Sequence, residues 1–207
     1  MGLKAALFSG GKDSVHAALA EWPVDLLVTF VYEFPRPSPH LVNISKVIEL
    51  AGAMSIPLVI LRVHGGREKE EEARLMGSLG VSHIVAGDQN VEDHLKYMEE
   101  MARMAGADLR EPIWGMDPGK VLEDELREMS FIVIGAEERA RELVCTRVDE
   151  GSSEAFRRKV QELGIDPIGE AGEYHSLVTE IRTLGASIGA RCREVRSYGD
   201  YYVALVD

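Results

Sequence analysis

Apolar residues in this chain fall in short unbroken runs separated by longer stretches of helical period. Ala5-Ala6-Leu7-Phe8 reads as a buried first strand, Val24 to Tyr32 is a near-continuous apolar run as expected of a parallel strand covered on both faces, and Ile56 to Val63 and Val81 to Ala86 read as a third and fourth strand. Between them, Val15 to Ala20 reads as a helix, and Leu41 to Met54 carries Val47, Ile48 and Ala51 at helical spacing. The charged stretch Arg67 to Gly77 reads as a surface helix, with Glu70 and Arg74 spaced for an i,i+4 pair. Val91 to Ala105 is a further helix whose Met98, Met101 and Ala105 lie along one face as core fillers. Phe34-Pro35-Arg36-Pro37-Ser38-Pro39-His40 is excluded from helix, because its prolines remove donors and restrict their neighbours. Strands alternating with helices predict an α/β fold with a doubly wound, Rossmann-like parallel sheet, whose ligands lie beyond the carboxyl ends of the strands.

The second half is patterned differently. A helix is expected from about Gly119 to Met129, a strand over Phe131 to Gly135, and a helix over Ser153 to Leu163. Ser187 to Arg196 and Tyr201 to Val206 flank Ser197-Tyr198-Gly199-Asp200, a hairpin signal. We therefore expect a first domain over residues 1–110 and a smaller mixed α/β domain over residues 111–207.

Composition narrows the class. At 207 residues, 45% hydrophobic and 28% charged, the chain can bury a full core as a soluble globular protein. It has no apolar run of the roughly 18 residues a membrane span needs. It also enters a strand without a cleavable leader, so a cytoplasmic location and no membrane partner are expected. Cys145 and Cys192 form no CxxC, and each is expected to be a small buried residue rather than part of a zinc or redox site. The net charge of −12 disfavours nucleic acid as a partner, although the acidity also serves solubility.

Candidate chemistry concentrates in Ser9-Gly10-Gly11-Lys12-Asp13-Ser14, between the first strand and first helix. A glycine pair there frees backbone N–H groups to face an anion at a helix N-terminus. Lys12 adds a point charge, and Ser9 and Ser14 add hydroxyls. The spacing is not that of a Walker A loop, since Asp13 follows the lysine, nor of a dinucleotide fingerprint, since a third glycine is missing. Gly87-Asp88 ends another strand at the same edge, though Asp88 could equally cap the following helix. The second constellation is Gly169-Glu170-Ala171-Gly172-Glu173-Tyr174-His175-Ser176. By spacing alone this suits a solvated turn with surface carboxylates. It also suits a carboxylate and imidazole on one side of a strand, able to orient an amine, take its proton or hold Mg²⁺.

SGGKDS resembles the pyrophosphate loop of the PP-loop ATPases, of the adenine nucleotide α-hydrolase type, which cleave ATP between the α- and β-phosphates. Together with GEAGEYH, with His40 upstream of Ser55-Ile56-Pro57, with Asn43 and with Pro112-Ile113-Trp114-Gly115, it resembles the diphthine–ammonia ligase family. That resemblance implies ATP-dependent adenylylation of a carboxylate, release of AMP and pyrophosphate, and amidation by ammonium. In the archetype the carboxylate sits on a modified histidine of translation elongation factor 2. By match, Ser9, Gly10, Gly11, Lys12, Asp13, Ser14 and Gly87 would hold ATP, with Asp13 capping the helix or positioning Mg²⁺. Lys12, Asp13, Glu170, Glu173 and His175 would be catalytic, and His40, Asp88, Glu170, Glu173 and Tyr174 would face the acceptor. Two stretches depart from the family: Gln89 to Lys96 lacks an aromatic-Gln-Arg element, and Thr179 to Thr183 replaces Leu-Asp-x-Pro-Leu-Phe. Competing expectations are a PP-loop enzyme acting on a small metabolite or on tRNA, and an ATP-binding regulator without turnover; a homodimer is left open.

Overall fold

A computed structural model of the chain describes residues 2–33 and 35–207, so Phe34 of the proline-rich segment lies outside the described residues. Its first half is a parallel sheet of five strands in the order β3-β2-β1-β4-β5. These are β1 (Leu3–Leu7), β2 (Leu26–Val31), β3 (Leu58–Arg62), β4 (Val81–Val85) and β5 (Asp108–Arg110). The connecting helices are α1 (Lys12–Ala20), α2 (Pro39–Val42), α3 (Ile44–Ala53), α4 (Glu68–Ser78) and α5 (Glu92–Ala105). Alternation along the strands builds two cores. Ala5, Leu26, Val28 and Ile84 pack with Ala73, Met76, Met98 and Met101 on one face. Ala6, Leu27 and Val85 pack with Val15, Val47 and Leu50 on the other. The fold is the expected doubly wound α/β sheet, and the order in which strands are added reverses between β1 and β4, where such sheets open a crevice.

The second half is an antiparallel sheet in the order β10-β11-β6-β8-β9. Its strands are β6 (Met129–Glu137), β7 (Arg147–Val148), β8 (Tyr174–Ile181), β9 (Ala186–Ser187), β10 (Cys192–Ser197) and β11 (Tyr201–Val206). Two helices accompany it, α6 (Pro118–Glu128) and α7 (Ser153–Leu163). Asp117 caps α6 by accepting from Lys120 N at 2.9 Å, with Pro118 at the first helical position. Helix α1 packs against β1, β8 and α6, so the first turn of α1 faces both halves of the chain.

Four expectations are corrected. Pro39 and His40 open the short helix α2, which is compatible with proline because the first helical N–H needs no partner. The pair formed on α4 joins Arg67 to Glu71 at 3.1 Å, since Glu71 also accepts from the His64 backbone and ring and is drawn to that end. The first hairpin strand begins at Cys192 rather than Ser187. Cys145 and Cys192 are joined in a disulfide, with Cα atoms 5.7 Å apart. Strand β11 leaves β6 after the Val203–Gly135 pair, and β7 then takes over that edge through Phe131 and Ile132. That handover brings Cys145, two residues before β7, close to Cys192 at the start of β10. Among the described residues, no helix is long and apolar enough to cross a membrane.

Candidate functional site

Where β1 ends, the backbone turns through Gly10 at φ 75°, a left-handed conformation that glycine adopts without strain. The Gly10 carbonyl accepts from Val178 N at 2.9 Å, which ties the loop to β8. Ser14 Oγ donates to Gly11 O at 2.9 Å and lies 3.1 Å from Ser9 Oγ, and Ser9 Oγ accepts from Gly11 N at 3.2 Å. Lys12 N donates to Ser176 Oγ at 3.1 Å. The N–H groups of Asp13 and Ser14 meet no acceptor among the described residues. Two amides at the positive end of α1 are therefore available to an anion.

The cleft over this turn has a volume of about 410 Å³. Ser9, Gly11, Asp13 and Ser14 line it, facing Thr29, His40, Gly87, Asp88, Glu170, Tyr174, His175 and Ser176. Gly87 is a close-approach position: a Cβ there would stand 2.8 Å from the Asp13 carbonyl oxygen. The second glycine turn thus abuts the first turn of α1, as its position at the end of β4 suggested.

Lys12 does not line this cleft. It is 1% exposed, and its Nζ contacts Asp13 Oδ1 at 2.6 Å, Ile168 O at 2.8 Å and Glu125 Oε2 at 3.4 Å. Tyr174 presents its ring 5.5 Å from the ammonium. Burial opposes the charge, but the Asp13 and Glu125 carboxylates hold the ammonium above its ordinary range. The lysine at the first position of α1 points back into the protein and binds α1, α6 and the loop before β8 together. It is not the exposed cradle cation that the motif suggested.

The remaining carboxylates gather on the far wall. Glu170 accepts from Gln89 N at 2.9 Å, joining the loop after α7 to the turn after β4. Gln89 in turn donates through Nε2 to Met116 O. Glu111 accepts from Asp88 N at 3.2 Å, and burial, reinforced by the Asp88 charge, pushes its carboxyl up to about 8. Burial also raises Asp88 and Glu170 above the usual carboxylate range. Asp88 sits 3.6 Å from His94 Nδ1 across the first turn of α5. No lysine or arginine lines the cleft among the described residues.

His40 and His175 meet edge-to-face with ring centroids 5.6 Å apart. Nδ1 of His40 is buried and meets no hydrogen-bond partner among the described residues. Burial lowers His40 to about 3 and His175 to about 4, so both rings are neutral at ordinary pH. Glu173 does not share their side. It precedes β8, is 4% exposed, accepts from Asp166 N at 3.3 Å and pairs with Arg139 at 3.1 Å. Its carboxylate braces the loop from behind, while the Tyr174 hydroxyl donates to Pro167 O at 2.6 Å. Asn43 likewise acts outside the cleft, donating to Pro39 O and Ala204 O and accepting from Val206 N. Motif reasoning did not identify Glu111, Glu125, Thr29 or Ser176; only the Ser176 position, directly after His175, offered a signal.

The donor set suits a triphosphate with a partly hydrated Mg²⁺. Among the described residues, no cluster of three or more His, Cys, Asp or Glu could hold a metal by itself. Mg²⁺ commonly takes only one or two protein carboxylates and fills its remaining positions with phosphate and water. Asp13, on the cleft wall beside the free amides, fits that requirement.

A comparison with curated proteins finds no match. Among solved structures, a predicted subunit of tRNA methyltransferase from Methanocaldococcus jannaschii aligns over 88% of this chain and 98% of its own, at 14% identity and a TM-score of 0.44. A likeness that distant carries no functional weight. The diphthamide synthase N-terminal domain model matches residues 2–109, more than half of the chain and all of the parallel sheet except the end of β5. The crevice at the strand reversal and this match agree, and the chain belongs to the diphthamide synthase N-terminal domain family, with a PP-loop nucleotide site.

Proposed function

We propose that this chain is an ATP-dependent amide ligase. It adenylylates a carboxylate and amidates it with ammonia, and the acceptor we favour is diphthine on translation elongation factor 2. The observation that carries this reading is the pair of unpartnered amides, Asp13 N and Ser14 N, opening onto a cleft closed by Gly87 and by the Glu170 loop.

The chemistry follows from what a carboxylate lacks. Its oxygen leaves poorly until it becomes part of a phosphate ester. In the first step a carboxylate oxygen bonds to the α-phosphorus, and the bond from that phosphorus to the bridging oxygen breaks, releasing pyrophosphate. In the second, ammonia nitrogen bonds to the acyl carbon, the carbon–oxygen bond breaks and AMP departs, while nitrogen loses a proton. The α1 amides and the Ser9 and Ser14 hydroxyls would stabilise charge on the leaving pyrophosphate. Asp13 would hold Mg²⁺, which when bound neutralises further phosphate charge. His175, neutral because it is buried, offers a ring nitrogen for the proton that leaves the amine. Lys12 contributes through position, by fixing α1 against the loop that carries Glu170 and leads into β8, where His175 lies.

The test supplies ATP, Mg²⁺, ammonium and elongation factor 2 carrying the unamidated modification. AMP and pyrophosphate should appear in equal amounts, and mass spectrometry of the modified histidine peptide should show the amide. ATP binding without pyrophosphate release under those conditions would refute the ligase.

A further inference from the structure

A second cavity adjoins the nucleotide cleft and is used by nothing described so far. Its volume is about 440 Å³, and it shares Ser38, Gly172 and His175 with the first cavity. The proline segment forms one side, and Tyr201 and Glu137 form the other. An edge-to-face series of rings links the two spaces: His40 to His175 at 5.6 Å, then His175 to Tyr201 at 6.1 Å. The Arg36 guanidinium lies 6.0 Å over the Tyr201 ring and pairs with Asp200 at 2.9 Å.

Charge sets the two cavities apart. The nucleotide cleft is lined by Asp13, Asp88 and Glu170 and by no lysine or arginine among the described residues. In the second cavity Arg36 is the one cation among the lining residues described. Arg36 and Asp200 are both more than half exposed, so their pair is weak and readily exchanged for another carboxylate. Guanidinium offers that partner a planar fork, and the Tyr201 face beneath restricts its swing.

We propose that this second cavity is the acceptor site, in which Arg36 over Tyr201 captures a carboxylate-bearing substrate and His175 marks the opening to the nucleotide. This rests on the ligase reading for the purpose of the capture, but the capture itself can be tested without turnover. The carboxylate could be free in solution or borne on a protein, and the same groups would hold either.

Two probes separate these sources: glutarate, and elongation factor 2 carrying the unamidated modification. Phenylglyoxal labelling of Arg36 in the full chain is followed by peptide mass spectrometry, with α,β-methylene ATP and Mg²⁺ present so that no turnover occurs. One probe should slow labelling of Arg36 by about fivefold or more while leaving exposed Arg103 unaffected. Protection by glutarate identifies a free acid, and protection by the factor alone identifies a protein-borne one. No protection by either overturns the acceptor site. With the protecting probe as acceptor, Arg36→Ala should raise the half-saturating concentration for pyrophosphate release about tenfold and leave ATP affinity within about twofold. An equal fall in ATP affinity overturns the assignment. Protection without any pyrophosphate release leaves the capture site standing and refutes the ligase reading instead.

Discussion

Lys12→Met provides the most direct check of the site's geometry, because a cleft lysine and a buried tie predict opposite results. In this structure the substitution removes contacts at 2.6 Å to Asp13, 2.8 Å to Ile168 O and 3.4 Å to Glu125, and leaves Glu125 fully buried without its cation. Breaking a buried ion pair from one side costs about 3–5 kcal/mol. For a chain of this length that corresponds to a fall in Tm of about 6–20 °C. The pH dependence gives a second signature. Burial already holds the Glu125 carboxyl well above its unfolded value of 4.5, despite the nearby ammonium. A carboxyl raised on folding contributes fully below its unfolded pKa, and the contribution is lost as pH rises through the folded value. Without Lys12 that folded value rises further, so the deficit against wild type, present at pH 5 through the lost Asp13 and Ile168 contacts, should widen toward pH 8. Thermal unfolding at both pH values measures this, and calorimetry at low temperature should find ATP affinity within about threefold of wild type. A companion Glu125→Leu change should restore much of the loss, because an apolar pair can replace a buried ionic one. A Tm within about 2 °C of wild type with ATP binding abolished would refute the reasoning and return Lys12 to the phosphates.

Gly87→Ala should weaken ATP binding and lower stability by about 1–3 kcal/mol, because its Cβ meets the Asp13 carbonyl at 2.8 Å and that backbone must move; equal urea midpoints for the two proteins would count against the close approach. Glu111→Gln should be neutral near pH 5 and raise the unfolding midpoint at pH 9. Glu111 is pushed up to about 8, so the wild type loses stability as pH climbs from the unfolded value of 4.5 through that point, and the amide does not. A midpoint difference that does not vary with pH would contradict that account. Reducing the Cys145–Cys192 bond, which spans 47 residues, should cost roughly 4 kcal/mol on loop-entropy grounds, read as the shift in urea midpoint with and without reductant. No shift would mean that the C-terminal hairpin is held by its sheet alone.

The parallel sheet was legible because its information is local. Val24 to Tyr32 is apolar on both faces along most of its length, and a strand under two helical layers buries such a run. The matched start and end of α7 and the turn at Ser197 to Asp200 were readable for the same reason. What local pattern could not carry was pairing across the second sheet. Cys145 and Cys192 stand far apart in sequence, and only the handover from β11 to β7 along the edge of β6 makes them neighbours. Pro39 was misjudged because a proline is barred from a helix interior but not from its first position.

The site divides along the same line. Ser9, Gly11, Asp13, Ser14, Gly87, Asp88 and the Glu170 loop converge because strand–turn–helix units deliver their ends to one edge, which a motif and its context can anticipate. Lys12 and Glu173 differ because their direction is set by partners remote in sequence. Glu125 on α6 and Ile168 draw the lysine inward, and Arg139 draws Glu173 behind the loop. A motif names which residue types are present; which face they serve depends on what lies behind them. In this chain Lys12 and Glu173, two of the charged residues that match the family pattern, brace the cleft from behind, while Asp13 and Glu170 line it. Arg36, which carries no motif at all, is the cation left facing open space beside it. On the acceptor-site proposal, selectivity for the acceptor carboxylate resides in the proline segment while the signature loop serves the phosphates, so exchanging that segment should change the acceptor preferred in a pyrophosphate-release assay and leave ATP affinity by calorimetry unchanged.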